Sequence, residues 1–375
     1  MSVKILSDLY VKYLDKLLPE QVESSVFDPA HGLPENAIHF DALLVRTVTP
    51  INPLTLPNAG NIKFVGTATA GIDHIDQSHL QNLGIEFSQS EGCNANAVAE
   101  YIITVLYRWA EKTSADLSQK TVGVVGCGHT GAGVIRLLEK LGVSYIAFDP
   151  PKSEREPGFA SATEEELMHS DVLTFHTPLT LTGKHSTKHI GSDSWFQKGF
   201  DLVINASRGG VIDERSLFEH HRRQNIHNYI LDVWENEPVF NNTFARDAFI
   251  ATPHIAGYSI ESKFKATKIV LSRMLQHFGL DVNPDAKPDL FPLKDFNRCE
   301  NCSIGKLLWQ NNRIHYYDSE LRKLIGIPSN EKRARFAELR SKTALRHEYR
   351  AMIEQAKLTE SVPEPFQVFR KDSPQ

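Results

Sequence analysis

The tightest constraint on this chain is one short unit, residues 121–149. Residues 121–125 alternate as a strand. Gly126, Gly128 and Gly131 then form a GxGxxG loop, followed by a helical pattern through Leu137, Leu138 and Leu141 and a second strand at 144–148 ending on Asp149. Such a loop between strand and helix has a physical logic. The first glycine allows a tight turn, the second lets the backbone approach a pyrophosphate, and the third lets helix pack on strand. The helix start, His129 and Thr130 after Cys127, offers N–H groups to phosphates. Asp149 is placed to accept hydrogen bonds from an adenosine ribose. Its charge would repel a 2′-phosphate, so NAD is expected over NADP. Lys152 and Arg155, close behind, temper that repulsion.

The same alternation extends both ways. Residues 3–6, 42–45 and 62–65 read as strands and 9–18 as an amphipathic helix, followed by a long helical pattern over 97–110. Further strands are expected at 172–175, 202–204 and 229–231, and a helix at 260–277. Strands alternating with helices predict an α/β architecture of doubly wound parallel sheets. A Pro- and Asp-rich stretch, 283–289, marks a boundary.

Three strings downstream of the glycine loop carry chemistry: Arg208 in 205–209, Glu237 in 232–238 and His254 in 252–257. Oxidising a 2-hydroxy acid requires gripping its carboxylate, removing its hydroxyl proton and aiming its C2 hydrogen at a nicotinamide. The planar fork of Arg208 suits the first task. An imidazole titrating near neutrality, His254, suits the second. Glu237 can fix its tautomer and stabilise its protonated form. Singly, each residue has an ordinary explanation: a core His, a turn-capping Glu, a surface Arg. Their joint occurrence behind a nucleotide loop favours catalysis.

At this point the chain resembles the D-isomer-specific 2-hydroxyacid dehydrogenase family, through residues 126–131, 173–179, 204–209, 231–238 and 253–257. The resemblance implies two Rossmann-like domains and the trio Arg208, Glu237 and His254, with His254 the proton donor in the reducing direction. A narrower branch, acting on a phosphorylated acid, is matched by residues 44–49, 63–71, 91–101, 254–261 and 321–328. That likeness implies NAD contacts from Cys127, Gly128, Asp149, Thr177, Ala206, Ser207, Arg208, Asp232 and Gly257. It implies substrate contacts from Thr47, Thr69 and Tyr258, with Thr47 standing where Ser is expected. Arg46 and, from the basic C-terminal segment, Arg346 are candidate cations for the phosphate. A C-terminal α+β domain for homodimerisation is also implied.

The expected domains are a discontinuous substrate domain (1–95 and 256–282), an NAD domain (96–255) and the dimerisation domain (286–375), with the active site between the first two. Other members of the family, such as one acting on 3-phosphoglycerate, and a non-catalytic NAD-sensing protein remain alternatives. A net charge of -5 argues against a nucleic-acid binder. No stretch is long and apolar enough to span a bilayer, so a cytoplasmic protein is expected. Four cysteines in 375 residues make no disulfide framework. Cys299 and Cys302 form a lone CxxC, more simply two reduced thiols than a metal site. Residues 331–357 read as a basic helix with one packed face.

Overall fold

Short apolar runs bounded by turns become the central strands of two parallel sheets. The computed structural model describes residues 2–288, 303–310, 312–342, 345–355 and 369. The chain divides into two units, Met1–Asn94 with Ser259–Leu290, and Ala95–Tyr258 with Phe291–Gln375.

The first unit holds β1 (Val3–Asp8), β2 (Val22–Phe27), β3 (Ala42–Val45), β4 (Phe64–Thr67) and β5 (Glu86–Gln89). They form one parallel sheet in the order β2-β1-β3-β4-β5. The central strands β3 and β4 are buried throughout, as parallel strands covered on both faces must be. Helix Ile260–His277 closes one face, with Val270, Leu271, Met274 and Leu275 packed among Ile5, Leu44 and Phe64. Gly66 permits this, because a Cβ there would lie 2.4 Å from a Val270 methyl.

The expected helix over 9–18 is shortened to Leu14–Leu17. The Asp8 carboxylate accepts from Tyr10 N–H at 2.7 Å, and Tyr13 takes a left-handed φ of 65°. That turn and that φ together interrupt the helical path.

The second unit holds β6 (Thr121–Val125), β7 (Ser144–Phe148), β8 (Val172–Phe175), β9 (Phe200–Asn205), β10 (Ile226–Leu231) and β11 (Ile250–Ala251). All pair in parallel, in the order β11-β10-β9-β8-β6-β7. The order reverses at β6, whose C-terminal end is where ligands of open α/β sheets bind. Helix Ala95–Thr113 packs on helix His129–Lys140 across Gly133, where a Cβ would just touch Ala99 at 3.4 Å.

The C-terminal segment, set apart in the sequence reading as a domain of its own, is counted with this second unit. Leu307, Leu308, Ile314, Tyr317, Tyr349, Met352 and Ile353 share one core with Ile102, Leu106 and Trp109. Leu321, Leu324 and Phe336 join the other core with Trp234 and Phe240. The basic stretch forms two helices rather than one, Ser329–Ser341 and Tyr349–Gln355. No helix among the described residues is long and apolar enough to cross a membrane.

Candidate active site

The glycine loop leaves β6 at Gly126, whose φ of +87° and tight surroundings exclude a side chain: a Cβ would lie 2.8 Å from the Thr177 methyl. At Gly131 a Cβ would lie 1.9 Å from the Gly126 carbonyl oxygen, so helix and loop meet only through bare backbone. Gly128 differs, because a Cβ there would meet nothing within 4 Å. Open space above an exposed backbone is what a pyrophosphate requires. Asp149 closes β7, and one of its oxygens accepts from Cys127 N–H at 2.8 Å while the other caps helix Pro150–Arg155 at Lys152 N–H, 2.9 Å away. Lys152 Nζ donates to the Cys127 carbonyl at 2.9 Å, so this cation is tied to the loop. Burial and the Asp149 charge push the Cys127 thiol up to about 12, which makes it inert.

The loops after β8, β9, β10 and β11 carry the other residues expected in this unit. Thr177 follows β8 beside His176, which burial holds down to about 3 and therefore neutral. After β9, Asn205 organises the turn: its Oδ1 accepts from Ser207 N–H (3.1 Å) and Oγ (2.8 Å), and its amide donates to the Arg208 carbonyl (3.0 Å). Arg208 Nη1 donates to the Ser207 carbonyl at 2.8 Å. Gly209 presses on the next loop, where a Cβ would stand 1.9 Å from the Trp234 carbonyl oxygen. The Arg208 turn therefore rests directly on the loop that carries Glu237.

Glu237 and His254 are in contact. Glu237 Oε2 lies 2.8 Å from His254 Nδ1, and Oε1 accepts from Trp234 N–H at 2.9 Å. Both carboxylate oxygens are thereby fixed and the imidazole is oriented through Nδ1. The two side chains remain 21% and 28% exposed, so the pair is reachable. Burial works to raise the Glu237 carboxyl, but the His254 charge and hydrogen bond, with Arg340, hold it below the usual carboxylate value.

His254 has φ +58°, a left-handed conformation uncommon outside glycine. Its N–H donates to the Asp232 carbonyl at 2.7 Å, while the buried Asp232 carboxylate accepts from Ile255 N–H (2.8 Å), Ala256 N–H (3.0 Å) and Thr252 Oγ1 (2.6 Å). Burial raises the Asp232 carboxyl against those bonds. Asp232 thus holds the turn that aims His254 and leads to Gly257 and Tyr258.

In the first unit, Arg46 and Thr47 follow β3 and Thr69 follows β4. Arg46 Nε donates to the fully buried Asp8 carboxylate at 3.1 Å, and its guanidinium lies over the Tyr10 ring at 5.1 Å. The pair joins the ends of β1 and β3, where that sheet's strand order also reverses. Thr47 is exposed, whereas Thr69 Oγ1 pairs with Thr67 Oγ1 at 2.8 Å and donates to the Gly71 carbonyl at 3.0 Å.

Arg346, offered by the sequence as a phosphate cation, is engaged elsewhere: it pairs with buried Glu100 at 2.5 Å and donates to the Ala97 carbonyl at 3.0 Å. A charge buried against its own carboxylate holds two segments together. Cys299 and Cys302 lie outside the described residues. Trp234, Thr252 and Arg340 support the Glu237–His254 pair without having been candidates in the sequence. Trp234 and Thr252 lie inside the strings 232–238 and 252–257, and Arg340 lies four residues beyond Phe336 on one helical face.

With this geometry in view, the likeness to known proteins acquires a structural meaning. Residues 100–256 match the family model described as D-isomer specific 2-hydroxyacid dehydrogenase, NAD binding domain. The protein is an NAD-dependent 2-hydroxyacid dehydrogenase. Solved structures of a D-2-hydroxyisocaproate dehydrogenase (TM-score 0.59, 23% identity, covering 74% of this chain and 97% of that one) and an acyclic imino acid reductase (0.61, 22%, 75% and 100%) share the fold alone. An erythronate-4-phosphate dehydrogenase of Tolumonas auensis is 36% identical over 82% of this chain and 83% of its own. One from Escherichia coli strain SMS-3-5 is 38% identical over 77% and 78%. The chain belongs to the erythronate-4-phosphate dehydrogenase family.

Proposed function

We propose that this enzyme oxidises 4-phospho-D-erythronate to (R)-3-hydroxy-2-oxo-4-phosphooxybutanoate with NAD, a step in pyridoxal 5′-phosphate biosynthesis. The match to erythronate-4-phosphate dehydrogenases over about four-fifths of both chains carries the choice of substrate. The chemistry rests on the His254–Glu237 contact at 2.8 Å.

Arg208 grips the substrate carboxylate through its planar guanidinium. His254, held through Nδ1, takes the C2 hydroxyl proton at Nε2, and Glu237 stabilises the resulting imidazolium. In the reverse direction the same nitrogen returns the proton. The open backbone at Gly128, with Asp149, Thr177, Ser207 and Asp232, fits a dinucleotide. When bound, NAD supplies the hydride acceptor. Thr47, Thr69 and Tyr258 are the proposed substrate contacts. Arg46 serves the phosphate with whatever donor capacity its bond to Asp8 leaves. The same reading makes the enzyme a cytoplasmic homodimer joined through its C-terminal segment, supported by the likeness of residues 321–328 to that branch of the family.

NADH fluorescence in single-turnover and steady-state form, with 4-phosphoerythronate, unphosphorylated erythronate and 3-phosphoglycerate, tests the proposal. Turnover is expected with 4-phosphoerythronate and at least tenfold less kcat/KM with the others, about 1.4 kcal/mol. Preference for 3-phosphoglycerate would reassign the substrate. NADH binding without turnover of any acid would leave an NAD-binding protein.

A further inference from the structure

Helix Ser329–Ser341 presents Lys332, Phe336 and Arg340 on one face, four residues apart. That face packs on the loop carrying Glu237. Lys332 Nζ donates to the Phe240 carbonyl at 3.3 Å and lies over the Phe240 ring at 4.4 Å. The Phe336 ring meets Phe240 at 6.2 Å, and Phe240 meets Trp234 at 5.2 Å. Trp234 in turn fixes one oxygen of Glu237 through its N–H and bonds the Thr252 carbonyl through its indole at 3.0 Å. One turn beyond Phe336, the Arg340 guanidinium hydrogen-bonds Tyr258, with its charge felt by Glu237 and Asp232. Its Nε is buried without a hydrogen-bond partner among the described residues.

We propose that Arg340 is a positioning residue for the His254–Glu237 pair: helix Ser329–Ser341 clamps the Glu237 loop, and Arg340 ties Tyr258 to the same carboxylate. A partly buried cation whose Nε is shut away from solvent is unsuited to a merely solvating role, because that burial costs free energy that only paired acceptors and charges offset. Here its hydrogen bond goes to one end of the 254–258 turn and its field to the carboxylate at the other. Glu237 is thus steered from two sides, by Trp234 N–H and by the Arg340 charge. The C-terminal segment accordingly has a task at the reacting centre besides any role in assembly. The inference rests on the reading of Glu237 and His254 as the acid–base pair.

The test is a double-mutant cycle between Arg340→Met and Glu237→Gln, read as kcat and KM separately and accompanied by thermal melts and NADH titration. R340M is expected to lower kcat by about 10- to 100-fold with NADH affinity unchanged. In the E237Q background the same substitution should cost less than about threefold, since its target has already lost its charge. If R340M does not fold, Arg340→Gln, which keeps a polar donor and loses the charge, replaces it in the cycle under the same criteria. A kcat within twofold of wild type, or an equal loss in both backgrounds, would overturn the proposal. E237Q alone separates the two readings. A fully active E237Q removes the acid–base pair and this inference with it. A slow E237Q beside a fully active R340M removes this inference alone.

Discussion

Trp234 N–H and His254 Nδ1 grip opposite oxygens of one carboxylate, that of Glu237, at 2.9 and 2.8 Å. Glu237 is therefore held in place before any substrate arrives, and the imidazole inherits that order. Preorganisation of this kind confines the reorganisation cost to folding and spares the reaction.

Replacing Glu237 by Gln should lower kcat by about 10²- to 10⁴-fold while leaving NADH affinity within twofold. The stability effect has a defined pH window. A carboxylate whose folded pKa is depressed adds stability that is present above its unfolded value, about 4.3, and lost as pH falls through the lower folded value. The gap in urea midpoint between wild type and E237Q should close as pH falls below about 5. A gap independent of pH down to full acid unfolding would contradict the depressed value.

The glycines of the loop should separate folding from binding. Gly131→Ala places a methyl 1.9 Å from the Gly126 carbonyl oxygen and should cost about 1–3 kcal/mol in urea unfolding. Gly128→Ala meets nothing in the protein and should change stability by less than about 0.5 kcal/mol. It should nevertheless weaken NADH binding by roughly tenfold, because the methyl enters the space that the pyrophosphate needs. Equal affinity in G128A and wild type would move the pyrophosphate elsewhere.

Asp149 combines a cap with a charge, and two substitutions divide them. Asp149→Ala loses the bonds to Cys127 and Lys152 N–H and should lower stability by about 1 kcal/mol. Asp149→Asn keeps an acceptor while removing the charge. It should raise the NADP-to-NAD ratio of kcat/KM on the order of tenfold, about 1.4 kcal/mol, with a smaller loss of melting temperature than Asp149→Ala, since one of the two N–H bonds survives. An unchanged ratio would mean that Asp149 does not face the ribose.

Arg346→Met should act on stability rather than on substrate. Its partner Glu100 is only 5% exposed, so the lone carboxylate would be left buried, at a cost on the order of 3 kcal/mol. The double variant E100Q/R346M should recover much of that loss in urea melts. Any folded R346M should show the same KM for phosphorylated and unphosphorylated acids relative to wild type. A selective rise in KM for the phosphorylated acid would restore Arg346 as a phosphate ligand.

What could be read in advance follows from where the information lies. Strands β3, β6, β7 and β8 are short apolar runs between turns, and their limits were legible to the residue. Strand β2, four of whose six residues are exposed, and β5 are the edges of their sheet, so no strong hydrophobic pattern marks them. Glu237 and His254 stood out because their types suit a reaction, and the structure brings the two together. Their supports did not stand out. Nothing local connects Arg346 to Glu100 or Arg340 to Tyr258, because these pairings arise only when segments distant in sequence pack. Likewise Arg46 looked available beside Thr47, and only the parallel pairing of β1 with β3 reveals Asp8 beside it.

The left-handed backbone of His254 puts stability and turnover in opposition at a single codon. Glycine adopts that φ without strain, whereas the imidazole holds it only because Asp232 and Glu237 restrain the turn. A library selected for heat resistance alone would therefore drift towards Gly or Asn at 254 and discard the proposed proton acceptor. Engineering this enzyme for robustness should begin by freezing that one position.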